Sequence, residues 1–331
     1  MELKTLGTSS VKVTPIAFGA WAIGGWMWGG AEEQAAIKAI KASLDAGITT
    51  IDTAPIYGFG KSEELVGKAL QGVPRDQYQI LTKYGMNWRT DKGEFYFDSV
   101  DNNGKPTKIY KYSRRESVLQ ECEDSLRRLK TDYIDLFQIH WPDATTPISE
   151  TMEAVATLIE QGKVRAAGVC NYKVEQVEEA LKTIKLVSNQ VPYSMIHRGI
   201  EQDVVPQAIA KGMSILPYSP LQRGLLTGKI KRDHKFNEGD TRENNRYYKP
   251  ENIDRTNAFL QKIKPIADGY GVTLAQLVIN WTTRQAAMDC VLVGARDEKQ
   301  VQENVKSLSF KLTDAELNSI RKSVEELVLV D

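Results

Sequence analysis

The chain has 331 residues, 41% of them hydrophobic and 26% charged, ordinary values for a globular protein. Lys plus Arg and Asp plus Glu each number 43, so the formal net charge is zero, which argues against a dedicated nucleic-acid binder. The three cysteines, Cys122, Cys170 and Cys290, lack C-x-x-C spacing. That argues against a disulfide framework and the common zinc motifs. Residues 1–4 open no signal region, and no apolar run approaches the ~20 residues of a membrane span. The expectation is a cytoplasmic chain with reduced thiols and no metal, and with neither a nucleic-acid nor a membrane partner.

Residues 3–13, with a polar turn from Gly7 to Ser10, read as a small hairpin. Residues 16–18 read as the first long-range strand. A helix over 31–45 follows, with Ala36, Ile37, Ile40 and Leu44 on one face and Gly47 closing it. Then come a strand at 49–52, a helix at 62–70 and a strand at 79–82. Ser113 is the predicted N-cap of a helix running to Leu129. A strand at 134–139, a helix at 148–161 and a strand at 164–169 continue the rhythm. A helix at 176–184, a strand at 186–190, a helix at 201–211 and a strand at 214–218 extend it. Helices at 256–269 and 274–284 precede the eighth strand, at 290–293. The polar stretches 87–107 and 232–250 read as long loops.

Eight β-branched strands alternating with amphipathic helices are the pattern of an α/β protein built as a (β/α)8 barrel, the TIM barrel. The reading is one domain over 1–331, with the N-terminal β-hairpin on the barrel floor and extra C-terminal helices. In such barrels the chemistry sits at the C-terminal strand ends. Asp52, Lys83, His140, Asn171 and Gln190 follow successive strands, and Tyr57 lies in the loop after the second. Taken singly, each has an ordinary structural use. Asp52 could form a turn, Tyr57 could pack a loop, and His140 could be a satisfied core histidine. Gathered at one rim, they match what reduction of a carbonyl needs beyond the hydride. Tyr57 can donate a proton, and an ammonium at Lys83 favours the phenolate and would lower the phenol pKa. Asp52 can hold Lys83 charged, and His140 can orient the carbonyl oxygen.

Five motifs carry a resemblance. They are LDAGITTIDTAPIYG at 44–58, ILTK at 80–83, SLRRLKTDYIDLFQIH at 125–140, GKVRAAGVCN at 162–171 and PYSPLQRGLLTGK at 217–229. Together the sequence resembles the aldo-keto reductases, in their bacterial NADPH-dependent branch, over nearly its whole length. The resemblance implies a catalytic tetrad of Asp52, Tyr57, Lys83 and His140, and NADP(H) across the barrel mouth, with NAD(H) as a further possibility. It implies that Asn171 and Gln190 hold the carboxamide and that Tyr218 stacks on the nicotinamide. Gly19 and Trp21 would contact the cofactor from the first strand end. The loop with Ser219, Pro220, Leu221, Arg223, Gly224 and Lys229 would wrap the pyrophosphate. Gly294, Arg296, Gln300, Glu303 and Asn304 would receive the adenosine end, with Arg296 on the 2′-phosphate. It implies a small-molecule carbonyl substrate, an aldehyde or a keto-sugar, and a monomer or weak homo-oligomer. Two positions depart from the family pattern. Cys170 stands where Ser is common, and Gln300 stands where Arg is common, which lowers the positive charge there.

The chain carries no G-x-G-x-x-G fingerprint of a Rossmann domain. Trp21, Trp26, Trp28, Tyr84 and Trp141 read as an aromatic substrate wall. Two other classes stay open. A barrel hydrolase would need a pair of catalytic carboxylates, and Asp143 has no evident mate for that role. A cofactor-binding regulatory subunit with slow turnover would keep the same barrel.

Overall fold

The structure, a computed structural model, describes residues 1–25, 32–236, 240 and 242–331. The chain begins with a two-stranded hairpin, β1 (Lys4–Thr5) and β2 (Lys12–Val13), and enters the barrel at β3 (Ile16–Gly19). After α1 (Glu33–Asp45), β4 (Thr50–Asp52), α2 (Lys61–Ala69) and β5 (Gln79–Tyr84) come three short antiparallel strands. These are β6 (Met86–Asn87), β7 (Glu94–Val100) and β8 (Pro106–Lys111). The alternation resumes with α3 (Arg115–Leu129), β9 (Leu136–Ile139), α4 (Ile148–Glu160), β10 (Ala167–Cys170), α5 (Val174–Leu181) and β11 (Leu186–Pro192). It ends with α6 (Val204–Lys211), β12 (Ser214–Tyr218), α7 (Pro250–Gly269), α8 (Leu274–Thr283), β13 (Val291–Gly294), α9 (Glu298–Val305) and α10 (Asp314–Glu325).

Eight parallel strands pair in the order β12-β11-β10-β9-β5-β4-β3-β13. A bridge from Ile215 to Met288, ahead of β13, brings the two edges together, so the barrel is nearly closed. The expected strands and helices are present with their ends shifted by a few residues. Inside the barrel, Ala17, Leu81, Leu136, Ala166, Val187, Leu216 and Leu292 form one apolar cluster. Leu6, Val11 and Val13 of the hairpin close it from below. Each buried leucine or valine among them contributes roughly 1.5–3 kcal/mol. Gly7 makes the hairpin fit. Its φ is +52°, and an added Cβ would lie 2.4 Å from the Val187 carbonyl oxygen. Its N–H donates to Ser214 Oγ at 2.7 Å.

Three local expectations are corrected. Residues 87–107 are not one long loop, because Phe95, Phe97, Asp98, Ser99 and Val100 pair with 106–110 across the turn after Asp101. Ser113 does not cap α3. Its N–H donates to Asp143 Oδ2 at 2.9 Å and its hydroxyl at 3.2 Å, which leaves Arg114 at the N-cap. Helix α7 begins at Pro250, where a proline at the first helical position is pre-set for the turn.

Candidate active site

Parallel register brings the chemistry together. In β4, Asp52 pairs with Leu81 of β5, two residues before Lys83. The Lys83 ammonium, with no exposed surface, donates to Asp52 Oδ1 at 2.7 Å and to the Thr53 carbonyl at 2.8 Å. Gln190 Nε2 occupies the other oxygen, donating to Asp52 Oδ2 at 2.9 Å. A buried ion pair offsets its desolvation better when further hydrogen bonds reach its atoms, as those of Thr53 and Gln190 do here. Burial alone would lower the Lys83 pKa. Asp52 and the Tyr57 phenol outweigh it, and the ammonium is held above its ordinary value.

Tyr57 reaches the same spot from the loop after β4. Tyr57 N–H donates to the Ala54 carbonyl at 3.1 Å, and Gly60 N–H to that of Pro55 at 2.7 Å. Gly58 has φ +67°, and a Cβ there would lie 1.9 Å from the Gly24 carbonyl oxygen. The Tyr57 loop is thus locked against the loop after β3 by direct backbone contact. Gly58→Ala is expected to destabilise the fold by about 1–3 kcal/mol and to displace Tyr57. An unchanged thermal midpoint would contradict this contact.

The Tyr57 phenol is 9% exposed and lies near Lys83, whose Nζ is 5.0 Å from the ring centre. Burial pushes its pKa up to about 12, and the Lys83 charge pulls the other way without prevailing. The expected net lowering is therefore reversed. Lys83 acts in the expected direction, but loss of water acts more strongly. The phenol is protonated across the neutral range. His140 lies edge-on to it, with ring centres 5.7 Å apart. Burial first, and then the Lys83 charge, hold His140 well below its ordinary pKa, so the imidazole is neutral. A neutral ring donates one N–H and takes no proton near pH 7.

These groups open into a cavity of about 460 Å³ at the C-terminal strand ends. Tyr57, His140 and Asp52 lie at its base. Trp21, Trp141, Tyr96, Phe97 and Met86 form one wall. Asn171, Gln190, Tyr218, Gly19 and Gly294 line the cavity as well. Ser219, Pro220, Leu221, Arg223, Gly224, Arg296 and Gln300 complete its lining from the segments after β12 and β13. Ser219, Arg223 and Gly224 have positive φ, which bends this loop tightly around the opening. Asn171 has φ +60°, a conformation asparagine tolerates. Its Nδ2 donates to the His140 carbonyl at 3.0 Å, and its Oδ1 accepts from the Tyr218 hydroxyl at 3.0 Å.

Some expected residues stand elsewhere. Tyr84 is not on the substrate wall. Strand neighbours point to opposite faces, so with Lys83 directed inward Tyr84 packs outward on Phe137, ring centres 4.5 Å apart. Lys229, Glu303 and Asn304 stand off the cavity lining, and Asn304 Nδ2 donates to the Gly294 carbonyl at 3.2 Å. Trp26 and Trp28 lie outside the described residues. Cys170 is a packed thiol whose pKa burial raises, consistent with an inert side chain. Asp143 accepts bonds from Ser113, Thr145 and Thr146, which commits it to loop structure. Among the described lining residues Asp52 is the one carboxylate, so a two-carboxylate hydrolase finds no second group. Met86, Tyr96 and Phe97 were missed. The run Phe95-Tyr96-Phe97, set before the Asp101-to-Gly104 turn, was the available signal.

The Aldo/keto reductase family model matches residues 15–325. The chain belongs to the aldo/keto reductase family. It is 36% identical over 330 residues to aldo-keto reductase YhdN of Bacillus subtilis, covering 99% of this chain and 95% of that one. It is also 36% identical to the NADH-specific methylglyoxal reductase of Escherichia coli, covering 99% of each. The solved glycerol dehydrogenase of Gluconobacter oxydans superposes with a TM-score of 0.89 at 36% identity, covering 98% of this chain and 96% of that one. The chain is thus an oxidoreductase of a family that acts on small carbonyl compounds with a nicotinamide cofactor. Among its described residues, no helix is long and apolar enough to cross a membrane.

The donor set of the cavity fits such a cofactor. The Tyr218 ring, bonded to Asn171, and the amides of Asn171 and Gln190 line the same cavity as Arg296. Asn171 keeps an N–H and a lone pair beyond the bonds described, and Gln190, whose Nε2 also donates to Gln138 Oε1 at 3.5 Å, keeps the lone pairs of its oxygen. Gln300 Oε1 accepts from the Arg296 backbone N–H at 2.9 Å, which fixes the backbone of that corner.

Proposed function

We propose that the chain reduces aldehydes and ketones, among them small aldehydes or keto-sugars, to alcohols with NADP(H), and that Tyr57 is the general acid. The observation that carries this reading is the meeting of a protonated phenol, a buried Lys83–Asp52 pair and a neutral His140 at the base of one cavity. A bound nicotinamide supplies hydride to the carbonyl carbon. Tyr57 donates its proton to the carbonyl oxygen as negative charge develops there. The Lys83 ammonium stabilises the phenolate left behind, and Asp52 holds Lys83 charged and in place. His140 donates a ring N–H to the same oxygen and fixes its approach.

Asn171, Gln190 and Tyr218 would hold the nicotinamide end, and Gly19 and Trp21 would border it. The 219–224 loop would cover the diphosphate, and Arg296 would pair with the 2′-phosphate. Arg296→Ala is expected to weaken NADPH binding about tenfold or more, the scale of a lost charge-assisted contact. NADH binding should change less than about twofold in the same titration. Equal losses for the two cofactors would refute the 2′-phosphate role. NAD(H) is the second reading. Gln300 supplies no charge beside Arg296, and a 36% identical relative is named as NADH-specific.

A further inference from the structure

We propose that Tyr96 and Phe97, delivered together by an irregularity in β7, make this reductase select carbonyl compounds that carry a flat ring over three-carbon ones. The proposal rests on the reading above and narrows its substrate. Strand β7 pairs antiparallel with β8, with Phe95 opposite Tyr110 and Phe97 opposite Ile109. The register shifts between Phe95 and Phe97, so Tyr96 is an extra residue without its own partner. A regular strand turns successive side chains to opposite faces. Here the alternation slips by one at Tyr96. Phe95, Asp98 and Val100 are exposed, whereas Tyr96 and Phe97 both turn inward. A bulge of this kind redirects side chains and is common beside active sites.

The two rings join the cavity wall. Both pack against the cluster that contains Tyr57 and Met86, and both line the cavity over which Tyr57 and His140 stand. Tyr96 lies against Trp141, ring centres 5.7 Å apart, and against Phe97 at 4.9 Å. Lys111 also holds it, with Nζ 5.1 Å from the ring centre and 2.6 Å from Glu94 Oε1. The result is a held corner of three aromatic faces next to the proton donor. Aromatic rings prefer edge-to-face or offset contact with other rings. A benzaldehyde whose oxygen meets Tyr57 and His140 would lay its ring in this corner, whereas a three-carbon dicarbonyl has no face to place there.

The test compares kcat/KM for 4-nitrobenzaldehyde and methylglyoxal, read as NADPH oxidation, in four proteins. These are the wild type, Tyr96→Ala, Phe97→Ala and a deletion of Tyr96. The deletion leaves every remaining β7–β8 pair in register, so it removes the second ring without disturbing the ladder. The wild type is expected to favour the aromatic aldehyde by about tenfold or more. Each variant should lower that ratio by about tenfold while methylglyoxal reduction stays within about threefold. The ratio cancels any loss of folded protein. A wild-type preference for methylglyoxal, or variants that lower both rates alike, would overturn the substrate assignment and leave the reductase reading standing. Absence of cofactor oxidation by either aldehyde would overturn both.

Discussion

Replacing Tyr57 by phenylalanine is expected to lower kcat for aldehyde reduction by about 10²–10⁴-fold, the range for removing a positioned general acid. The substitution removes one hydroxyl and keeps the ring. The ring stacks on Trp21, with centres 6.0 Å apart at 25°, and meets His140 edge-on. Those contacts survive, so the cavity keeps its shape and cofactor affinity should stay within about twofold, as for a group that acts only in the transition state. What is lost is the protonated hydroxyl itself, whose pKa burial pushes up to about 12. Steady-state NADPH oxidation together with a fluorescence titration of NADPH binding checks both halves. A kcat within tenfold of the wild type would remove Tyr57 from the chemistry.

Lys83→Met should have the larger effect on stability. It leaves Asp52, 3% exposed, without its ammonium partner. Breaking a buried ion pair from one side costs about 3–5 kcal/mol, which urea denaturation should report. Turnover should fall as well, because the phenolate loses its stabilising charge. Adding Asp52→Asn removes the stranded carboxylate. The double variant should recover much of the stability and none of the turnover, whereas recovery of both would mean that the pair is structural only. The pH dependence follows from the sign of the shift. The folded-state pKa of Lys83 is raised, so its stabilisation is present below the unfolded value of about 10.4. It declines as pH rises past that value and is gone above the higher folded value. No loss from this pair is expected between neutral pH and about 10.

The barrel was legible because its strands are short β-branched runs and its helices keep an apolar face. Gly47, Gly162 and Gly212 mark helix ends in the sequence as well as in the structure. The convergence of Asp52, Lys83, His140 and Tyr57 was legible for a topological reason, since parallel strands place their C-terminal ends on one rim. What failed depended on side-chain direction and local competition. Tyr84 was placed on the wall from adjacency to Lys83, yet the strand period of two sends it to the helix side. Ser113 has the chemistry of an N-cap, but Asp143, 30 positions away, takes its N–H and hydroxyl. The 87–107 segment was read as loop because charged and polar residues outnumber its aromatics. Its strand character depends on pairing with Ile109 and Tyr110 beyond it. The sign of the Tyr57 shift needed burial as well as neighbours, and burial cannot be read from the neighbouring letters.

The most direct test is a crystal structure of the chain with NADP+ and an aldehyde, a dead-end pair that cannot react. The aldehyde oxygen is expected within about 2.6–3.2 Å of both the Tyr57 hydroxyl and a ring nitrogen of His140. The Lys83–Asp52 contact should be intact beneath them. An aldehyde oxygen directed away from Tyr57, with the phenol hydrogen-bonded elsewhere, would contradict that arrangement.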